Sequence, residues 1–270
     1  MNERLLLVGG GKMGGAMLAG WLARGLPSSQ VVVVEPGPGA AALRATHGVA
    51  VHGSPDEVAE GFRPNVVVFA VKPQMMDGAA PRYARYAGPD TVFLSIAAGK
   101  TIAYFRRQLG EQAVIVRAMP NTPAAVGRGM SVCCAGPGVS AAQRGQCAAL
   151  LEAVGDVAWV EDEALLDPVT AVSGGGPAYV FLLVECLAEA GVAAGLPPAL
   201  AMQIARATVA GSGELLRQSP EPAAVLRQNV TSPAGTTLEA LKILMAENGL
   251  QSLLTKAIAA ATRRSRELAG

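Results

Sequence analysis

The chain has 270 residues, 51% hydrophobic and 16% charged, a composition that excludes a disordered chain and suffices for a sizeable core. Its formal net charge is +1 with no basic block, so the electrostatic footprint of a nucleic-acid binder is missing. Aromatics are only 4% and much of the apolar fraction is alanine, which predicts closely packed helices. In chain order, Met1-Asn2-Glu3-Arg4 leads straight into the apolar Leu5–Val8, with no small-residue cleavage site after it. Glycines follow, then helical character over Ala16–Ala23, then the β-branched run Val31–Val34 ending at Glu35. Further apolar runs are Val66–Val71, Thr91–Ile96 and Val114–Arg117, with a helical pattern at Tyr104–Leu109. Continuous rather than alternating runs predict strands buried on both faces of a parallel sheet. Met130–Cys134 and Val157–Val160 read as the last strands, with a helix over Ala141–Val154 and Ser140 as its N-cap.

Beyond residue 161 the strand signal ends. Pro177–Ala194, Pro198–Leu216, Thr236–Glu247 and Leu250–Leu268 suit helices, separated by Pro197-Pro198 and Ser219-Pro220. The expected architecture is an α/β Rossmann-type doubly wound domain over residues 1–160, followed by an all-α helical domain over 161–270. Helices such as Ala178–Val192 are apolar nearly all round, and a short helical unit of that kind needs cover. A second copy of the chain is the expected cover. The run Val180–Val184 is broken by Glu185 and Glu189, well short of the ~20 residues of a helical span, so no membrane segment is expected. Cys133, Cys134, Cys147 and Cys186 lack CxxC spacing. They read as reduced, packed thiols of a cytoplasmic protein without a disulfide framework or metal site.

Gly9-Gly10-Gly11-Lys12-Met13-Gly14 carries the G-x-G-x-x-G spacing between a strand and a helix. Gly9 allows the tight turn, Gly11 lets the backbone approach a pyrophosphate and Gly14 permits close helix–sheet packing, with helix-start amides facing the phosphates. Glu35 lies at the second strand's end, roughly 20 residues on, where a carboxylate accepts from ribose hydroxyls and repels a 2′-phosphate. Pro36-Gly37-Pro38-Gly39 offers no cationic clamp and Arg44 lies further on, so these residues lean toward NADH without excluding NADPH. The two histidines, His47 and His52, fall in the loop region after the second strand. That disfavours the histidine mechanism of hydroxyacid dehydrogenases.

Four remaining segments are unusual: Ala70-Val71-Lys72-Pro73-Gln74, Met119-Pro120-Asn121-Thr122-Pro123, Ser173-Gly174-Gly175-Gly176-Pro177-Ala178-Tyr179 and Val230-Thr231-Ser232-Pro233-Ala234-Gly235-Thr236-Thr237. Together with the glycine turn they resemble the pyrroline-5-carboxylate reductase family over essentially the whole chain, the last segment being the most specific. The resemblance implies NADPH- or NADH-dependent reduction of L-1-pyrroline-5-carboxylate to L-proline. It also implies a dimer through the helical domain, often assembled further into decamers, with an active site shared between subunits. It implies substrate binding at Ser232, Gly235, Thr236, Thr237 and Glu163, with Thr237 holding the ring nitrogen. Coenzyme contacts are implied at Ala70, Val71, Lys72, Pro73, Ala97, Ala98, Gly99 and Asn121, and at Asn229 from the partner subunit. The chain departs from the family pattern at Gly175, where serine is usual, and at Ala234, where glycine is usual; a negative φ is expected at Ala234. The alternatives are another imine or β-hydroxyacid reductase on the same plan, and a nucleotide-sensing oligomer without turnover. The former is disfavoured because Lys242 and Lys256, the helical half's lysines, both follow the threonine turn.

Overall fold

The computed structural model describes residues 4–269; Met1–Glu3, read as leading into the first strand, lie outside them. The chain divides into two compact units, one running to Gly174 and resuming at Ala261, the other spanning Gly175–Ala260. The strands end at Val160, yet the first compact unit continues to Gly174 and takes back the final turns of the last helix.

The first unit is built on β1 (Leu5–Val8), α1 (Lys12–Ala23), β2 (Val31–Val34), α2 (Ala40–His47), β3 (Ala50–His52), β4 (Val66–Phe69), α3 (Met76–Ala79), β5 (Val92–Ser95), α4 (Ile102–Leu109), β6 (Val114–Met119), β7 (Gly129–Ala135), α5 (Ala141–Glu152), β8 (Gly155–Val160) and α6 (Leu166–Val169). The sheet order is β3-β2-β1-β4-β5-β6-β7-β8. Pairing is parallel except between β6 and β7. The antiparallel return at β7 departs from the all-parallel reading. A short loop joins it to β6, and such a loop suits an antiparallel neighbour, since a parallel one needs a crossover of a dozen residues or more.

The continuous apolar strands are explained by cover on both faces. Leu5, Leu7, Val33 and Val68 belong to one cluster with Met17, Leu18 and Trp21 of α1. Leu6, Val67, Phe69 and Phe93 belong to the other with Tyr83 and Phe105. The few aromatics are concentrated there: Phe69 meets Tyr83 edge-on at 5.5 Å and stacks with Phe105 at 5.5 Å. Trp21 Nε1 donates to the Leu150 carbonyl at 2.8 Å, tying α1 to α5. Ser140 caps α5 as expected, in a capping box with Gln143. His47 and His52 are not in a loop: they end α2 and β3, two elements that lack a clear periodic signal because each is short.

The second unit holds α7 (Gly176–Ala193), α8 (Pro198–Gln218), α9 (Ala223–Asn229), α10 (Thr236–Leu244) and the start of α11 (Leu250–Ala269). Its small residues permit close packing: Ala188, Ala201 and Ala205 are buried, and a Cβ on Gly191 would sit 3.3 Å from the Ala201 Cβ. Gly195, at φ +100, ends α7 in the left-handed conformation that suits glycine. Phe181, Leu182, Leu183 and Leu187 are exposed in the single chain. One expectation needs correction. Glu163–Ala193 is a continuous helical stretch long and apolar enough, by length and composition, to cross a membrane. The run Val180–Val184 is broken by Glu185, but apolar turns precede it in the same stretch.

Cys133, Cys134 and Cys147 are buried and Cys186 is exposed, all as free thiols. Burial pushes the Cys133 thiol up to about 12 and raises Cys134 and Cys147 as well, which keeps the three unreactive.

Candidate coenzyme and substrate sites

β1 pairs with β2 on one side and β4 on the other, so the chain reverses its winding at β1. The carboxyl ends of strands at such a point bound the crevice where doubly wound folds bind ligands. A cleft of 640 Å³ lies there, lined by Gly9, Gly11, Glu35, Ala70, Val71 and Lys72 among others. The glycines have distinct duties. Gly9 has φ +95, and a Cβ there would meet Val71 Cγ1 at 2.8 Å. A Cβ on Gly14 would lie 2.2 Å from the Gly9 carbonyl oxygen, so helix and turn could not pack. A Cβ on Gly11 would meet nothing within 4 Å, as expected where the backbone is kept bare for a ligand. α1 begins at Lys12 rather than Ala16, with Gly11 as N-cap, no side-chain cap and no acidic residue in its first turn. The first-turn amides around Lys12 and Met13 are thus left for an anion. A dinucleotide fits this cradle.

The Glu35 carboxylate faces inward on its own turn: it accepts from the Gly10 amide at 2.7 Å and from the Gly37 amide at 2.7 Å. Arg44 Nη2 instead donates to the Val51 carbonyl at 2.6 Å. Arg82 and Tyr83 also line the cleft and were not read from the sequence. They lie within the short helical turns after β4, over Ala80–Tyr86, which show no amphipathic period. Burial raises the Tyr83 hydroxyl above its usual range. Pro73 opens the turn beside Lys72. Ala97 and Gly99, after β5, are buried, with Ala98 partly so, and lie outside that cleft's lining. Gly99 (φ +73) is approached by Leu268, whose carbonyl oxygen would be 3.1 Å from an added Cβ. Asn121 spends its side chain on the fold. Its Oδ1 accepts from the Met130 amide at 2.8 Å, and its Nδ2 donates to Ser173 Oγ at 3.2 Å.

Glu163 is held in the first unit. Its Oε1 accepts from Arg117 Nη1 at 2.9 Å and from the Ile102 amide at 2.8 Å. A carboxylate there meets the positive end of α4, and Arg117, only 4% exposed, gains its counter-charge.

In the second unit, Ser232-Pro233-Ala234-Gly235 form a turn closed by the Gly235 amide donating to the Ser232 carbonyl at 3.1 Å. α10 starts immediately after it, with Gly235 as N-cap and no side-chain cap, so first-turn amides remain for an outside acceptor. Thr236 and Thr237 are exposed in that first turn, and Asn229 is exposed at the end of α9. The described residues contain no group of His, Cys, Asp and Glu able to hold a metal ion.

A curated pyrroline-5-carboxylate reductase from Pseudomonas aeruginosa is 40% identical over 270 residues, covering 99% of this chain and 97% of its own. The chain belongs to the pyrroline-5-carboxylate reductase family. The family model described as pyrroline-5-carboxylate reductase dimerisation matches residues 163–268, and one described as NADP oxidoreductase coenzyme F420-dependent matches 4–99. A solved pyrroline-5-carboxylate reductase from Coxiella burnetii superposes with a TM-score of 0.93 at 32% identity, each chain covered fully. A Plasmodium falciparum pyrroline carboxylate reductase, described with NADP bound, gives 0.83 at 28% identity, covering 100% of this chain and 99% of that one.

Both departures from the family pattern have a structural setting. Gly175 takes an ordinary αR backbone (φ −80) ahead of α7, after a π-turn over Thr170–Gly174. The missing serine hydroxyl therefore leaves the helix start intact. Ala234 contradicts its expected negative φ: it sits at +59. Proline at the second position and a positive φ at the third are the marks of a type II turn, and the closed Ser232–Gly235 turn demands that backbone. Left-handed alanine is strained. Ala234→Gly is expected to raise stability by about 0.5–1 kcal/mol, the relief of strain being partly offset by the freer unfolded chain. A thermal midpoint that falls in this variant would contradict the assignment.

Proposed function

We propose that the chain reduces L-1-pyrroline-5-carboxylate to L-proline with NADPH or NADH, the last step of proline biosynthesis. The observation carrying this reading is the intact Thr-Ser-Pro-Ala-Gly-Thr-Thr turn at an uncapped helix start, in a chain 40% identical to a reductase over its full length. The substrate is a small anion with a ring C=N. Ser232 and the amides of Gly235 and Thr236 receive its carboxylate, as helix starts receive anions without a cationic side chain. Thr237 holds the ring nitrogen. An imine is protonated far more readily than a carbonyl, and its cation is already electrophilic. Catalysis then rests on positioning and electrostatics rather than on a strong general acid. When bound, the coenzyme would supply a hydride to the ring carbon, and the nitrogen would keep its proton as the amine of proline. Gly9, Gly11, Lys12, Met13, Gly14, Glu35 and the Ala70–Pro73 turn hold the coenzyme, with Ala97–Gly99, Asn121 and, from the partner, Asn229 assigned to the same task by family likeness. Glu163 is assigned to the substrate on the same ground.

The chain acts as a homodimer through the helical domain of residues 161–270, the 1–160 domain serving the coenzyme, and dimers assemble to a decamer in the cytoplasm. Support comes from the dimerisation match over 163–268 and from exposed Phe181, Leu182 and Leu183. Neither nucleic acid nor a membrane is a partner. The near-zero net charge supports the first; for the second, the dimerisation match over 163–268 supports cover of the apolar helix by a second copy of the chain.

The test is oxidation of NADH or NADPH by the purified chain with pyrroline-5-carboxylate, followed by loss of nicotinamide absorbance, with proline identified as product. Gly11→Val should abolish turnover while leaving the circular-dichroism spectrum unchanged, since an added Cβ there meets nothing within 4 Å. Coenzyme binding without turnover on any cyclic imine would favour a sensor instead.

A further inference from the structure

We propose that Glu35 makes this chain select NADH over NADPH, an inference that rests on the reductase reading above. Both carboxylate oxygens of Glu35 are fixed, one by the Gly10 amide and one by the Gly37 amide, each at 2.7 Å. That grip places a full negative charge against the glycine turn, in the lining of the cleft. A carboxylate has about four lone-pair positions. Two are taken by the amides, and the rest remain for the hydroxyls of an adenosine ribose, the group that a carboxylate at this strand end meets in dinucleotide folds.

A 2′-phosphate would meet the same oxygens with like charge. The loop Pro36-Gly37-Pro38-Gly39 carries no cation. Arg44, the next candidate along the chain, spends its guanidinium on the Val51 carbonyl. Two other cations line the cleft. Arg82 is already paired with Asp56 and donates to Ser54 Oγ at 2.9 Å. Lys72 comes from the end of β4, on the far side of β1 from β2. The Glu35 pocket is also hard to remodel around its side chain, because a Cβ on Gly37 would lie 2.7 Å from Glu35 Oε1. The carboxylate therefore has one orientation, held by the turn itself.

Calorimetric titration of the full chain with NADH and NADPH, without substrate, reads the preference directly. NADH is expected to bind tighter by a factor on the order of ten or more, the scale of a like-charge clash. In Glu35→Gln, which keeps one acceptor and removes the charge, the gap should close. Because that variant can lose the turn, a competition on the unaltered chain stands beside it: adenosine 5′-phosphate should displace NADH, and adenosine 2′,5′-bisphosphate should not. Equal or tighter binding of NADPH overturns the selectivity and leaves the reductase reading in place. So does a gap unchanged in a folded Glu35→Gln, or displacement by the bisphosphate. Binding of neither coenzyme overturns both.

Discussion

Glu163→Ala is expected to lower the unfolding free energy by about 3 kcal/mol, the low end of the range for removing one partner of a buried ion pair. The low end applies because Glu163 is itself 27% exposed, whereas the Arg117 side chain is 5% exposed. Without the carboxylate, Arg117 is left charged on a strand inside the sheet, and the Ile102 amide at the start of α4 loses its acceptor. Glu163→Gln keeps an acceptor for that amide and should cost only about 1 kcal/mol. Arg117→Met with Glu163→Leu should recover much of the loss, since well-packed apolar replacements of buried pairs are often neutral. Denaturant midpoints at constant slope measure all three. The same variants separate two duties of Glu163. A stable Glu163→Gln with a raised KM for the imine would give it a substrate role. An unchanged KM with lost stability would leave it as the staple between β6, α4 and the start of the long helix.

How far the sequence reaches is shown by where it stopped. Leu5–Val8 and Val31–Val34 have the bounds expected of them, because a strand buried on both faces must be apolar at every position, and Gly9 and Glu35 end the two runs. Two positions of the glycine fingerprint were equally legible: at Gly9 and Gly14 an added Cβ would clash, whereas at Gly11 it would meet nothing within 4 Å. Short elements were not legible. Ala50–His52 is three residues long, too brief for any period, and it becomes a strand only because β2 lies beside it. Arg82 and Tyr83 reach the cleft through single helical turns whose direction depends on Phe69 and Phe105 packing beneath them. Asn121 and Glu163 show a different gap. Polar residues in a family motif read as ligand contacts, yet their hydrogen bonds here go to Met130, Ser173, Ile102 and Arg117. Partners that distant in sequence are set by the tertiary fold. Ala234 is the sharpest case: residue type argues for negative φ, and the closure of the Ser232–Gly235 turn overrides it.

Thr237→Ala is expected to reduce kcat with pyrroline-5-carboxylate by about 10², because its hydroxyl is assigned to accept from the protonated ring nitrogen and so to hold the C=N in place, and a misplaced substrate costs a loss of that order. The reasoning separates Thr237 from its neighbour. No side chain caps α10, so neither threonine hydroxyl is needed to satisfy the helix, and replacing either should change stability by no more than about 0.5 kcal/mol. Thr236→Ala leaves the backbone amide that receives the carboxylate, so its effect should fall on neither kcat nor KM by more than a few-fold. Thr237→Ala removes the group assigned to the ring nitrogen, and Thr237→Ser should restore most of the rate because the hydroxyl returns. NADH affinity should be unchanged throughout, since the coenzyme is held by the glycine turn and Glu35. Equal rates for Thr237→Ala and the unaltered chain would move the ring-nitrogen contact elsewhere. A rate loss that serine does not rescue would mean that Thr237 shapes the helix start rather than touching the imine.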